Sequence, residues 1–163
     1  MADLAQMGTD ITEYLDAKKG TGLALEGIEL VQDGDHNVPT QFHPCVTVDW
    51  DHAVKPVWTG NHWEMAARFA VTLYTVTLQA LGGQVAGKNA QRLLFRYDSG
   101  WKGLIPALMP LQSYTDNQGR VWRVAMDSDI EQSVITSKKH KHWTTVTTVS
   151  LTLSTWLDKS EFS

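Results

Sequence analysis

Apolar residues recur along this chain with two different periods, and each period points to a kind of element. Near the start, Leu4, Met7, Ile11, Tyr14 and Leu15 fall on one helical face, with Lys18 and Lys19 ahead of Gly20. This spacing predicts a first helix ending at Gly20, with Asp10 and Glu13 as the acids that favour its start. Residues 20–44 mix Gly, Asp, Asn and Pro around an apolar fragment and read as a loop holding one short strand. Val46, Val48 and Trp50 then alternate with Thr47 and Asp49, the period of a short strand, which is expected to stop in the turn-like stretch up to Gly60 and Asn61.

From Trp63 onward, Met65, Ala67, Phe69, Val71 and Leu73 take every second position while Glu64, Arg68 and Thr72 take the others, which predicts a long strand. Ala90, Leu93, Leu94 and Tyr97 return to helical spacing through a segment carrying Arg92 and Arg96, with Gly100 as the expected terminator. Pro106 and Pro110 predict an irregular segment. Past a turn at 116–119, Trp122, Val124, Met126, Ile130 and Val134 alternate again. After a polar run at 137–142, Trp143, Val149, Leu151, Leu153 and Leu157 share one parity, opposite Thr144, Thr148, Ser150, Thr152 and Ser154. These last two strands read as a long C-terminal β-hairpin. The expected fold is α+β: a mainly antiparallel β-sheet with two helices packed on one face, in the order α-β-β-α-β-β.

Length and composition narrow the class. At 163 residues the expectation is a single α+β domain spanning 1–163, large enough to bury a core without disulfides. The balance of 14 Lys and Arg against 18 Asp and Glu provides no chain-wide basic footprint for nucleic acid. Cys45 is the single cysteine, and no basic stretch followed by an apolar run announces secretion, so a reducing compartment is expected. The longest mostly apolar stretch, 69–81, carries Thr72, Thr75, Thr77 and Gln79 and falls short of the ~20 residues that cross a bilayer, so no membrane partner is expected.

Charge is unevenly spread. Residues 1–60 hold ten acids and three bases, whereas residues 61–125 hold three acids and seven bases. Two surfaces of opposite sign could attract each other between copies, unless the two sets interleave in the fold.

Candidate chemistry is sparse. His36, His43, Cys45, Asp49, Asp51, His52 and His62 are the residue types that bind transition metals, and a small metal-dependent enzyme built on His36, His43, Cys45 and Asp49 is one alternative. The chain has no CxxC or HxxxH pair, no GxSxG, GxxxxGK[ST], GxGxxG or HExxH, so neither a catalytic residue nor a cofactor is assigned. Lys138, Lys139, His140, Lys141, His142 and Trp143 could touch phosphates and stack on a base, which makes a nucleic-acid-binding module a second alternative. A solvated hairpin tip accounts for the same residues. Seven tryptophans strain one core, and Trp156, of opposite parity to Leu151 and Leu153, is expected on the more exposed sheet face.

The element order resembles that of the tail terminator and neck proteins of long-tailed bacteriophages. The matching parts are residues 11–18, 46–50, 63–76, 90–97, 122–134 and 143–157, while the segments at 20–44 and around Pro106 and Pro110 depart from that plan. The resemblance implies a non-enzymatic virion protein, assembled in the host cytoplasm as a homo-oligomeric ring, commonly a hexamer. Such a ring ends growth of the tail tube, docks it to the head-connector or stopper protein, and lets DNA pass through its lumen without sequence-specific binding. The candidate assembly interface is Arg92, Arg96 and the tip residues Lys138, Lys139, His140, Lys141, His142 and Trp143. The hairpin bearing that tip is expected to project as a two-stranded ribbon.

Overall fold

The computed structural model of the chain describes residues 3–34, 44–78, 83–137 and 142–162. It is a mixed α+β structure made mostly of strands, with three helices and a curled sheet. Helix α1 (Leu4–Asp16) opens it, followed by β1 (Leu30–Asp33), β2 (Cys45–Trp58) and β3 (His62–Leu78). Helix α2 (Gly83–Leu94), the short strands β4 (Arg96–Tyr97) and β5 (Trp101–Lys102), helix α3 (Leu104–Leu108) and β6 (Ser113–Thr115) come next. Strands β7 (Val121–Ser137) and β8 (His142–Asp158) and a 3₁₀ turn at Lys159–Phe162 close the chain.

Six strands form one sheet in the order β1-β2-β3-β8-β7-β6, with β1 parallel to β2 and the other neighbours antiparallel. Its backbone is the β3–β8 ladder, unbroken from His62↔Asp158 to Leu78↔His142. On one face of that ladder lie Ala67, Phe69, Val71 and Leu73 of β3 and Val149, Leu151 and Leu153 of β8, all buried in the core together with Met7, Ile11 and Leu15 of α1. Gly8 of α1 lies against Phe69, and Asn89 of α2 donates to Thr77, so both helices sit on the side of the odd-numbered β3 residues. A strand alternates sides strictly, so this placement follows from the sequence parity.

Several expectations are corrected. Asp10 lies in the middle of α1 and Glu13 in its last turn, because Asp3 caps the helix by accepting from the Gln6 N–H at 2.7 Å. The helix ends at Asp16, short of Gly20, and Lys19 pairs back to Asp16. Strand β2 continues through the turn-like stretch to Trp58, because register shifts after Trp50 and after Val54 absorb the irregular residues while pairing with β3 goes on. Helix α2 stops at Leu94, and Tyr97 lies in β4: Ser99 and Gly100, both at positive φ, turn the chain back into β5 instead of prolonging the helix. Pro106 falls inside α3, near its start, where a missing N–H costs little.

The β7–β8 pair is flanked by β3 along the whole length of β8, so its distal part is three strands wide, not a two-stranded ribbon. A ladder offset supplies the width: β3 runs on to Leu78, beyond the point where β2 begins at Cys45↔Tyr74.

Candidate functional site

The residues singled out from sequence occupy three different parts of the molecule. Cys45 starts β2, is fully buried, and stands opposite Tyr74. Burial pushes its thiol up to about 11, so at neutral pH it is a protonated, shielded group and not a nucleophile. His36 and His43 lie outside the described residues. Among the described residues no three His, Cys, Asp or Glu side chains come together in a way that could hold a metal ion.

Asp51, by contrast, joins a polar hollow on the sheet face without helices. Arg68 and Asp127 pair at 2.9 Å there, and Asp129, Glu131, Thr148 and Ser150 complete a cavity of about 460 Å³. The acids of β7 enter this hollow because the strand bulges between Met126 and Ile130.

Arg92 and Arg96 flank a second cavity, of about 560 Å³, lined also by Asn89, Leu93, Tyr97 and Asp98. Arg92 is exposed. Arg96 is half-buried and donates to the carbonyl oxygens of Arg92 at 3.1 Å and Glu26 at 3.2 Å. The basic middle of the chain is partly interleaved with the acidic parts: Arg68 pairs with Asp127, Arg120 with Glu161, and Lys102 with Glu26. Lys138, Lys139, His140 and Lys141 lie outside the described residues; His142 and Trp143 begin β8, and Trp143 is half-buried.

Sequence reasoning missed two clusters of aromatic side chains. The first is at the β2–β3 turn and the end of β8, where Trp58 and Trp63 pack with ring centroids 5.1 Å apart and His62 meets Trp156 edge-on at 6.3 Å. Beside them Pro56, Trp63, Met65, Leu157 and Phe162 line an apolar cavity of about 460 Å³. Trp156, with His62, is exposed on the face of the ladder opposite this cavity, as its parity predicts. The second cluster is on the β4–β5 ribbon: Phe95 stacks on Trp101 at 4.8 Å and Tyr97 meets Trp101 edge-on at 5.2 Å. The abundance of tryptophan was the only signal for either, because membership is decided by the register at Trp58↔Trp63 and by the turn at Ser99.

No helix among the described residues is long and apolar enough to cross a membrane. Set against models of protein families and against characterised proteins, the sequence matches none.

Proposed function

We propose that this chain is a structural virion protein of a tailed phage: a ring-forming tail terminator, or a related neck component, that joins the tail tube to the head connector. The observation that carries this reading is the layering. Along the chain come a helix, two long strands, a second helix and a long antiparallel strand pair, with both helices on one side of the central ladder. That is the order of the phage proteins the sequence resembles, with the short strands β1, β4, β5 and β6 and helix α3 as additions. Contact surfaces support it further. Beyond Val124 the outer edge of β7 has no partner strand among the described residues, and an uncovered edge in a subunit is what assembly can cover.

In this reading the subunit is not an enzyme, takes no cofactor and acts in the virion. Arg92 and Arg96, with Lys138, Lys139, His140, Lys141, His142 and Trp143, belong to the contact set. A net charge of −4 suits a lumen that lets DNA slip past, since a strongly basic lining would hold phosphate. Native mass spectrometry, with electron microscopy of the protein mixed with purified tail tubes, tests it. The expected result is a closed ring, commonly of six subunits, on the tube end. A monomer at micromolar concentration that leaves tubes uncapped overturns the reading.

A further inference from the structure

The edges of the six-stranded sheet are not protected alike. The outer strands β1 and β6 are short, and β2, beyond its pairing with β1, carries Asp49, Asp51, Lys55 and Pro56 and two register shifts. Short edge strands, charges, proline and bulges are the devices that keep a sheet edge from pairing with another chain. On the other side of the sheet, β6 covers β7 only at residues 121–123. Over residues 131–137 the outer edge of β7 has no partner strand among the described residues, and Glu131 is the one such device within it; Lys138 and Lys139 stand past its end.

Geometry and composition both suit this edge to pairing. Its inner side is fixed, because the ladder to β8 is unbroken from Ile130↔Val149 to Ser137↔His142. Ile130, Glu131, Gln132, Ser133 and Val134 are exposed in succession, so neither face of the strand lies under another layer there. Val134, an apolar residue, is 45% exposed. Residues 132–137 read Gln-Ser-Val-Ile-Thr-Ser, with β-branched residues and no charge, proline or glycine, the composition of a segment that pairs with its own kind.

We infer that β7 of one copy pairs antiparallel with β7 of a second copy about a two-fold axis at Val134, joining two sheets into one. Opposite positions of an antiparallel pair share a face, so the axis passes between two copies of one residue, and at Val134 it sets two exposed apolar side chains against each other. This register also settles the charges. Glu131 falls opposite Ser137, which holds the two Glu131 positions ~20 Å apart along the strands, about two Debye lengths, and Asp127 and Asp129 lie outside the paired segment. The β2 edge of a second copy is a poorer partner, since Pro56 has no N–H to donate and two register shifts interrupt the strand. The inference goes beyond the ring reading and does not rest on it: an isologous contact closes on two copies, and a ring closes through other surfaces.

One strand pair is small beside the ~20–30 residues a side of a standard interface, so the dimer should be weak, with a Kd on the order of 100 µM, and sedimentation of the full chain measures it. Val134→Arg and Val134→Glu each set like charges opposite one another; circular dichroism checks that both fold, and each alone should dimerise at least about tenfold more weakly than wild type. Mixed in equal amounts, the two variants bring opposite charges together and should dimerise where neither does alone. In the wild type, amide exchange across residues 131–137 should slow as concentration rises, which backbone pairing requires and side-chain contact does not. Wild-type protein that stays monomeric at about 1 mM, well above that Kd, would overturn the contact. So would variants that dimerise like wild type, a mixture that stays monomeric, exchange that does not change at this edge, or growth into fibres, because a two-fold pair closes. The two proposals fail separately: tubes capped equally by wild type and Val134→Arg, with no dimer in solution, would leave the virion reading standing without this contact, whereas dimers that leave tubes uncapped would leave the contact without the reading.

Discussion

The sheet beneath α1 and the sheet beneath α2 are built from the same strands but not from the same chemistry. Under α1, β3 presents Phe69, Val71 and Leu73 and β8 presents Val149, Leu151 and Leu153, every one of them buried. Farther along the same ladder, on the same parity and under α2, β3 presents Thr75 and Thr77 and β8 presents Thr145 and Thr147, also buried. The hydroxyls of Thr75, Thr145 and Thr147 have no hydrogen-bond partner among the described residues. A buried unpaired hydroxyl costs about 1–3 kcal/mol, so burial under α2 yields far less than burial under α1. The outer end of α2 packs Leu93 and Leu94 against the core, and polar tethers from the segment just after it add to that hold. The Gly103 N–H donates to the Ala24 oxygen at 2.7 Å, Arg96 reaches the Glu26 carbonyl, and the Lys102 ammonium pairs with the Glu26 carboxylate. One region is held by apolar packing, the other by less of it together with a few specific bonds to the loop at 17–29.

The contrast is sharpest at Phe69, the largest of the fully buried side chains. Phe69→Ala should lower stability by about 3–5 kcal/mol, the usual cost of a large core truncation, and equilibrium urea denaturation followed by circular dichroism measures it. A loss under 1 kcal/mol would mean that the α1 region does not carry the core.

Next in size is Gly103, where a Cβ would stand 2.5 Å from the Leu94 oxygen and φ is +115°. Gly103→Ala should cost about 2–3 kcal/mol through that clash and the strained backbone. It should also speed amide exchange in α2 more than in α1, as expected if the tether and not the sheet beneath holds this helix. Equal effects on both helices would erase the distinction.

How much of this could be read from the residues follows the same division. The apolar parity of β3 and β8 is legible because period 2 admits one burial face, and Phe69, Leu151 and Leu153 are large enough to mark it. The threonine continuation is not, since Thr75 and Thr145 carry the right parity but a composition that suits a solvated face equally well. Tyr97 continues the helical spacing of Leu93 and Leu94, so only the positive φ of Ser99 and Gly100 reveals the ribbon. Strands as short as β1 and β6 have too few residues for a period. The aromatic clusters were hidden for a related reason: Trp58, Trp63, Tyr97 and Trp101 gather through register and turn geometry, which composition alone does not encode.

Thr145→Val tests the other side of the comparison. The substitution keeps the shape of a residue that is fully buried and replaces a hydroxyl that has no partner among the described residues by a methyl group. It should stabilise the protein by about 1 kcal/mol in the same urea titration. A loss of that size would show that the hydroxyl is satisfied in solution and that the α2 region is packed as favourably as the α1 region.

The smallest effect is expected at the tether, and pH isolates it. The Lys102 ammonium, the Gly22 N–H and the charges of Lys102 and Arg96 hold the Glu26 carboxyl below its ordinary value of 4.5, against the desolvation that would raise it. A folded-state pKa below the unfolded one means that the unfolded chain binds the proton first as pH falls. The stabilising contribution is therefore complete above the ordinary carboxylate pKa and disappears as pH drops through the lowered folded value. Asp116 is shifted the same way, by the Trp122 indole N–H and by the backbone N–H groups of Arg120 and Gln118, so wild-type stability should fall in acid for two reasons. Comparison with Glu26→Gln separates them, because Asp116 is common to both proteins. The Tm gap between wild type and Glu26→Gln should be constant from pH 7 down to about pH 5 and should close below the ordinary carboxylate range. Amide exchange should place the loss in α2 and the β4–β5 ribbon, leaving α1 unchanged. A gap that persists undiminished to pH 3 would show that Glu26 acts through packing or its backbone and not through its charge, and the α2 region would then be tethered by the Gly103 and Arg96 hydrogen bonds alone.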